Sequence, residues 1–397
     1  MNQLKAAPPD HSSRIYLFTG VYAAVLYTVL LVAPVIAGPL IVKFGLSPAQ
    51  VGLLFSLELG AFSLATVPAY LWLTRVPLTV SVTVCTIIIA IGHVVSGFVT
   101  DFGLLLVTRV VTSLAAGSIT VVLLALGPRT RNPGRAFGIF VVAQLVMGAA
   151  ILALFPLIYA GADVSAIYWT LAGLTAVCLA FVPALRGISL SVPTAGGHTR
   201  LDPAKRTRFF AGLAAILLFY VALSGIWSFM GQIAIGSGAE EGPVATVLAI
   251  ATAAGIVSAL VATVMGESPR RGLYLILGLA GMAVSVLLLL GSGALVVFVI
   301  AAVLFKFAWT FVLPYLLSGV SALGGGAQTM NTTNLMIGGG FAIGPIISGW
   351  LVQTSGGYSS MIWFAVVCLI ASLGCAWVLS SGRLIEPAPE KTGPTAA

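Results

Sequence analysis

The chain has 397 residues, of which 59% are hydrophobic and only 7% are charged, and its formal net charge is +8. Its mean hydropathy of +1.13 lies far above that of soluble domains, in which about half of the residues are apolar. So few polar residues could not cover a surface that faces water. The composition therefore excludes a soluble globular protein and indicates an integral membrane protein.

The apolar residues form twelve runs that are long enough to cross a bilayer, since a spanning helix needs roughly 20 residues at a rise of about 1.5 Å each. Pro48 and Pro243 lie in the first turn of their runs, where a helix tolerates proline, and Ser47 can cap the second run. We predict spans at 15–42, 48–73, 79–99, 102–126, 136–160 and 164–185, then at 209–236, 243–265, 273–290, 294–318, 331–353 and 358–380.

The basic residues lie in alternate loops, and this bias predicts which loops are cytoplasmic. With the N-terminus inside, Lys43 is the single basic residue in an external loop. We therefore expect a multi-pass protein of the inner (plasma) membrane with both termini in the cytoplasm. The net charge is then a topology signal, so we expect the lipid bilayer and no nucleic acid as a partner. The external loops hold four acidic residues, Asp101, Asp163, Glu240 and Glu241.

The longest polar segment between two runs divides the twelve runs six and six. A shift of about 194 residues brings Ile15 onto Phe209 and Trp169 onto Trp363, as in transporters that are built from internal repeats. We predict a cytoplasmic leader at 1–14, a six-helix bundle at 15–185, a cytoplasmic linker at 186–208, a second six-helix bundle at 209–381 and a disordered cytoplasmic tail at 382–397.

Three segments carry short motifs of arginine, glycine and proline. Arg109 near the start of the fourth span is followed by small residues at 113–118. The basic loop at 129–138 reads Arg-Thr-Arg-Asn-Pro-Gly-Arg-Ala-Phe-Gly, and 340–349 reads Gly-Phe-Ala-Ile-Gly-Pro-Ile-Ile-Ser-Gly. With its two sets of six spans, the chain resembles the major facilitator superfamily. The resemblance implies an all-α fold of two pseudo-symmetric six-helix bundles, with the substrate path lined by spans one, four, seven and ten.

Two segments depart from the patterns of that family. The loop after the second span keeps Arg75 but lacks the family's acidic residue, and the fifth span, at 138–148, lacks the glycine–proline pattern of many drug–proton antiporters. These departures favour a carrier of metabolites over an exporter of drugs. A proton-coupled drug or metabolite efflux antiporter stays as the alternative.

Four ionisable residues fall inside predicted spans: Glu58, His93, Arg109 and Lys306. A charge in the bilayer costs several kcal/mol, so each marks a candidate functional site. His93 lies near the outer end of the third span, which the resemblance makes peripheral, and we expect it to be structural. The shift of about 194 residues places uncharged residues opposite the other three, so they are not part of the repeated scaffold.

Glu58 and Arg109 lie at similar depths on neighbouring spans, where their long side chains can pair. The proton affinity of a buried carboxylate depends on whether an arginine is engaged with it. We predict that this pair couples transport to protons. The alternative is a static ion pair that fixes helix register, and breaking such a pair simply destabilises the bundle.

Lys306 maps one turn from Arg109, which predicts two cations at nearby depths on facing halves of one cavity. Two cations favour an anionic ligand, and aromatic rings nearby can stack on it. The alternative is that these aromatic residues face lipid or other helices. The candidate substrate-binding residues are Arg109, Lys306, Trp227, Gln232, Trp309 and Tyr315.

The sequence contains no HExxH segment, no nucleotide-binding loop and only three histidines, so we expect neither an enzyme nor a metal or other cofactor. We predict a monomeric secondary active transporter that works by alternating access and is coupled to protons. Its substrate is expected to be an organic anion or zwitterion, such as a metabolite, vitamin or aromatic acid, with the direction of transport left open. A membrane receptor or assembly subunit that does not transport is the third class.

Overall fold

A computed structural model describes residues 11–159, 161–190, 203–266, 270–323 and 326–381. Within these ranges, twelve helical segments are long and apolar enough to cross a membrane, which confirms the predicted fold class. Parts of the predicted leader, linker and tail, at 1–10, 191–202 and 382–397, lie outside the described residues. The spans are α1 (Ser12–Leu26, then Thr28–Phe44), α2 (Pro48–Leu64, then Thr66–Trp72), α3 (Leu78–Phe98), α4 (Phe102–Leu126), α5 (Pro133–Ile158), α6 (Val164–Cys178), α7 (Pro203–Gly236), α8 (Glu241–Met265), α9 (Arg271–Leu288), α10 (Leu295–Ser321), α11 (Gly326–Ser355) and α12 (Ser359–Ser380).

Two helices that matter for the site begin at polar caps. Ser47 and Gln50 form a reciprocal capping box at the start of α2, and Pro48 occupies the first turn, as predicted. The carboxylate of Asp101 accepts a hydrogen bond from the Leu104 amide at 2.8 Å and caps α4. These caps satisfy backbone donors that a helix start leaves open, and they fix where α2 and α4 begin, and thus the depths of Glu58 and Arg109.

The two halves meet where backbones approach closely, most extensively between α2 and α11. A Cβ atom added at Gly52 would collide with the carbonyl of Pro345, and one added at Gly349 would collide with the carbonyl of Pro48. Small residues allow such contacts, since membrane helices associate by packing rather than by a hydrophobic driving force. Glycine is therefore required on both sides of this contact.

A matching contact occurs in each half between its first helix and the end of its last span, which in the first half is a 3-10 segment, Leu179–Leu185, that extends α6. Arg14 donates to the carbonyls of Pro183 and Arg186 at 3.1 and 2.9 Å, and Arg208 donates to the carbonyl of Leu379 at 3.2 Å. Cations at a helix C-terminus complement the carbonyls that are left without partners there. Arg14 and Arg208 correspond under the shift of about 194 residues, so the contact is consistent with the predicted repeat.

Candidate functional site

A cavity of about 140 Å³ lies within the first half, lined by α1, α2, α3, α4 and α6 and bordered by α11 of the second half. Its lining contains one acidic residue, Glu58, one histidine, His93, and one arginine, Arg109. From there the cavity extends toward Thr66 and Asn334, at the end of the bundle where α2 ends and α11 begins. The site is thus surrounded mainly by one half of the molecule, whereas the resemblance implies a path between both halves.

Glu58 on α2 and Arg109 on α4 form an ion pair in which Arg109 Nε donates to Glu58 Oε1. Both side chains are almost fully buried, with exposed fractions of 4% and 1%. An ion pair in such surroundings is screened little by water, so separating the two charges is costly unless each finds another partner. The expected pairing is present, while its role in proton coupling stays a prediction.

His93 on α3 contacts the same guanidinium. The distance between His93 Nδ1 and Arg109 Nη1 is 3.1 Å. Arginine has no acceptor, so Nδ1 must accept this hydrogen bond and the imidazole carries its proton on Nε2. The ring of Tyr168 lies 5.1 Å from Arg109 Cζ, within the range of a cation–π contact. The guanidinium of Arg109 therefore contacts three side chains, those of Glu58, His93 and Tyr168.

Sequence analysis missed the place of His93 beside the cavity. The signal was available, because His93 lies five residues before the end of α3 and Arg109 lies seven residues after the start of α4. Consecutive antiparallel spans bring such positions to similar depths. The resemblance made the third span peripheral and so hid this contact.

Lys306 on α10 is fully buried in a different environment. Its Nζ lies 3.8 Å from the centre of the Trp227 ring and 3.7 Å from that of Trp309, and it has no hydrogen-bond partner among the described residues. Lys306, Trp227 and Trp309 do not line the cavity that holds Arg109. The structure therefore brings these three candidates together, but not with Arg109.

Trp227 explains why Lys306 stays apart from the cavity. The indole Nε1 of Trp227 donates to the carbonyl of Leu30 on α1 at 2.9 Å, and Leu30 itself lines the cavity. One turn further along α7, Gly231 lies directly against the carbonyl of Pro34. Trp227 thus fills the contact between α1 and α7 and covers Lys306.

The two remaining candidates also lie elsewhere. Gln232 is next to Gly38 of α1 and does not line the cavity around Arg109. Tyr315 on α10 is buried, its hydroxyl has no hydrogen-bond partner among the described residues, and it lines a separate cavity near the start of α9. Of the six predicted substrate contacts, Arg109 is the one that this cavity contains.

A family model for the Major Facilitator Superfamily matches residues 17–333. The chain belongs to this superfamily. It is therefore a membrane transporter and not an enzyme. A comparison with individual curated proteins gave no match.

Solved structures of superfamily transporters share the fold. A bacterial homologue of the human lysosomal transporter Spinster, in an inward-facing and unoccupied conformation, has 17% identity and a TM-score of 0.67, over 95% of this chain and 98% of that one. The nucleoside transporter NupG has 13% identity and a TM-score of 0.69, over 96% of this chain and 100% of that one. At these identities the likeness is one of fold, so the substrate must be argued from the site.

Proposed function

We propose that this superfamily member carries a small organic anion or zwitterion together with a proton, by alternating access, and that Glu58 and Arg109 bind both. The observation that carries the proposal is the buried Glu58–Arg109 pair on the wall of the cavity. We further propose that it works as a monomer in the inner membrane with both termini in the cytoplasm, because its basic residues lie in alternate loops.

The charges of the pair suit the joint transport of an anion and a proton. A substrate carboxylate that binds Arg109 competes with Glu58 for the guanidinium. The released Glu58 takes up a proton, because an isolated carboxylate in a buried site is costly. Anion and proton together add no net charge, so the site is neutral before and after loading. Each ligand then strengthens the binding of the other by the same factor.

The rest of the cavity fits a compact organic solute. Tyr27 and Phe62 line it, with their ring centres 5.1 Å apart in an edge-to-face arrangement. His93 orients the guanidinium of Arg109 through its hydrogen bond. The cavity volume of about 140 Å³ is below the roughly 300–1,000 Å³ of pockets for drug-sized ligands. This favours a metabolite, vitamin or aromatic acid over a bulky drug.

Lys306 takes part in this proposal only in a conformation in which α1 and α7 have moved apart. Separating α1 from α7 would break the hydrogen bond between Trp227 and Leu30 and open a route to Lys306. Lys306, Trp227 and Trp309 would then form an anion site for substrate that enters from the other side of the membrane. Gln232 and Tyr315 carry no part of the proposal.

The test is proton-driven accumulation by Glu58→Gln in liposomes. The probe is a carboxylate chosen by its ability to raise the melting temperature of the purified protein, since a ligand that binds only the folded state stabilises it. We expect Glu58→Gln to exchange this probe across the membrane but to lose its accumulation under an inward proton gradient. Glu241→Gln, at an exposed position at the start of α8, is the matched control and should accumulate like the wild type.

Other outcomes separate the alternatives. A folded Glu58→Gln protein that still accumulates the probe with protons would falsify the coupling role of Glu58. Expulsion of the probe driven by proton entry would identify the efflux antiporter instead. Binding without flux would identify a receptor.

A further inference from the structure

A second cavity, of about 360 Å³, lies at the end of the second half where α7 and α9 begin and α10 and α12 end. Three arginines line it: Arg208, Arg270 and Arg271. None of its described lining residues is acidic. The predicted topology places this end at the cytoplasmic face, where the membrane surface is rich in anionic lipid.

Two of the arginines, Arg208 and Arg271, are anchored by neighbouring helix ends. Arg208 Nε donates to the carbonyl of Leu379 at 3.2 Å, and Arg271 Nη1 donates to Ser318 Oγ at 3.4 Å. A guanidinium has five N–H donors in a fixed fork, which matches the oxygens of a phosphate group. Arg208 can therefore hold its helix contact and bind a phosphate at the same time.

Two further groups add donors to the same cavity. The hydroxyl of Tyr315 is buried and has no hydrogen-bond partner among the described residues. The side chain of the N-cap residue Arg270 does not cap the start of α9, and a helix N-terminus favours an anion through its N–H groups and its dipole. The donor set is thus suited to an anion with several oxygens.

The rest of the cavity is apolar and open to the side of the protein. Leu273 and Trp377 line it and are 51% and 59% exposed. Leu273 and Ile276 follow Arg271 along α9, so they lie further from the helix start than the arginines do. Apolar side chains exposed on the outside of a membrane-spanning bundle face lipid tails. Tryptophan near a helix end is typical of the membrane interface. The cavity is therefore basic at one end and apolar at the other.

The first half contains a cavity at the corresponding position. This cavity, also of about 360 Å³, lies where α3 begins and α6 ends. The one basic residue among the described residues that line it is Arg75. The two cavities have similar volumes, and their linings differ in the number of basic residues.

We propose that the cavity of the second half binds an anionic phospholipid, with its phosphate against Arg208, Arg270 and Arg271 and an acyl chain along Leu273 and Trp377. A free phosphate ion would satisfy the arginines but would leave the apolar end unused. The amphipathic shape therefore points to a lipid.

Native mass spectrometry of the purified full-length protein tests this proposal, with phosphatidylglycerol and phosphatidylcholine as probes. The wild type should retain phosphatidylglycerol in preference to phosphatidylcholine. Arg270→Gln/Arg271→Gln should weaken phosphatidylglycerol binding about twenty-fivefold, since each basic residue near an anionic headgroup contributes roughly fivefold. Arg75→Gln is the matched control and should bind like the wild type. If the double variant does not fold, Arg270→Gln alone, at an exposed position, should still weaken binding about fivefold.

Three results would overturn the proposal. One is equal phosphatidylglycerol binding by the wild type and the folded arginine variants. Another is an equal loss in Arg75→Gln, which would indicate attraction to the basic face as a whole. The third is displacement of the lipid by millimolar inorganic phosphate, which would make this a site for a free anion. Lipid binding is measured without transport, so the result does not depend on the role of Glu58.

Discussion

The two halves share one arrangement of helices but surround their buried charges differently. In the first half, Arg109 is paired with Glu58, contacts His93 and lies beside a cavity. In the second half, Lys306 lies between the rings of Trp227 and Trp309 with no hydrogen-bond partner among the described residues. One half thus contains a buried ion pair beside a cavity, and the other contains a buried lysine covered by two tryptophan rings.

This difference indicates how a repeated scaffold acquires one function. The matching contacts of Arg14 and Arg208 with helix ends maintain the fold in both halves. The charges Glu58, Arg109 and Lys306 have no charged counterpart under the shift of about 194 residues. The repeated residues therefore support the helices, and we assign the chemistry of transport to the unrepeated ones.

Arg109→Gln tests the first half most severely. The substitution leaves Glu58 buried without its ion-pair partner, and breaking one side of a buried pair costs about 3–5 kcal/mol. We expect a large fall in melting temperature, measured by fluorescence in detergent. The double variant Glu58→Gln/Arg109→Gln should recover most of the loss. A double variant as unstable as Arg109→Gln would mean that the packing of the arginine, rather than its charge, stabilises this site.

Lys306→Met tests the second half and should give the opposite result. It replaces a buried cation that has no anionic partner with an apolar side chain of similar length. The lost cation–π contacts contribute about 2 kcal/mol each at most, while the desolvation cost of an unpaired ion is several kcal/mol. We expect a melting temperature equal to or above that of the wild type. A fall comparable with that of Arg109→Gln would contradict the contrast between the two halves.

The smallest effect on stability is expected from breaking the ion pair between Lys43 and Asp163, whose Nζ and Oδ2 atoms are 3.1 Å apart. This pair lies at the membrane edge of the first half. Partial burial acts to raise the pKa of Asp163, but hydrogen bonds from Ser165 and Lys43 and the charge of Lys43 lower it overall. A lowered pKa in the folded state gives stability that is present at neutral pH and is lost as the pH falls below about 4.

Asp163→Asn should therefore lower stability by about 1 kcal/mol or less at pH 7, because the Asp163 side chain is more than half exposed and such pairs are well screened. The difference from the wild type should shrink as the pH is lowered from 7 to 3. Melting curves at the two pH values check this. A difference that persists at pH 3 would assign the effect to the hydrogen bond with Ser165 rather than to charge.

The fold could be predicted from hydropathy because each span is specified by its own residues. The start of α2 at Pro48 after the Ser47 cap is an example. The pairing of Glu58 with Arg109 could be anticipated because it depends mainly on depth, which sequence position gives at a known rise per residue.

The surroundings of Lys306 could not be predicted in this way. They depend on the rotation of α7 and α10 about their axes and on the hydrogen bond from Trp227 to Leu30, and a single sequence specifies neither. The same rotation decides that the cavity around Arg109 is completed by α11 rather than by α7 and α10.

The contact between α2 and α11 includes two close backbone approaches, of Gly52 to the carbonyl of Pro345 and of Gly349 to the carbonyl of Pro48. The Ile346 amide also donates to Ser56 Oγ at 2.8 Å across the same contact. The two backbone approaches leave the lining of the cavity free to vary, because no side chain serves both surfaces at these four positions. Substitutions in the lining can therefore change substrate preference while these backbone contacts between the two helices are retained.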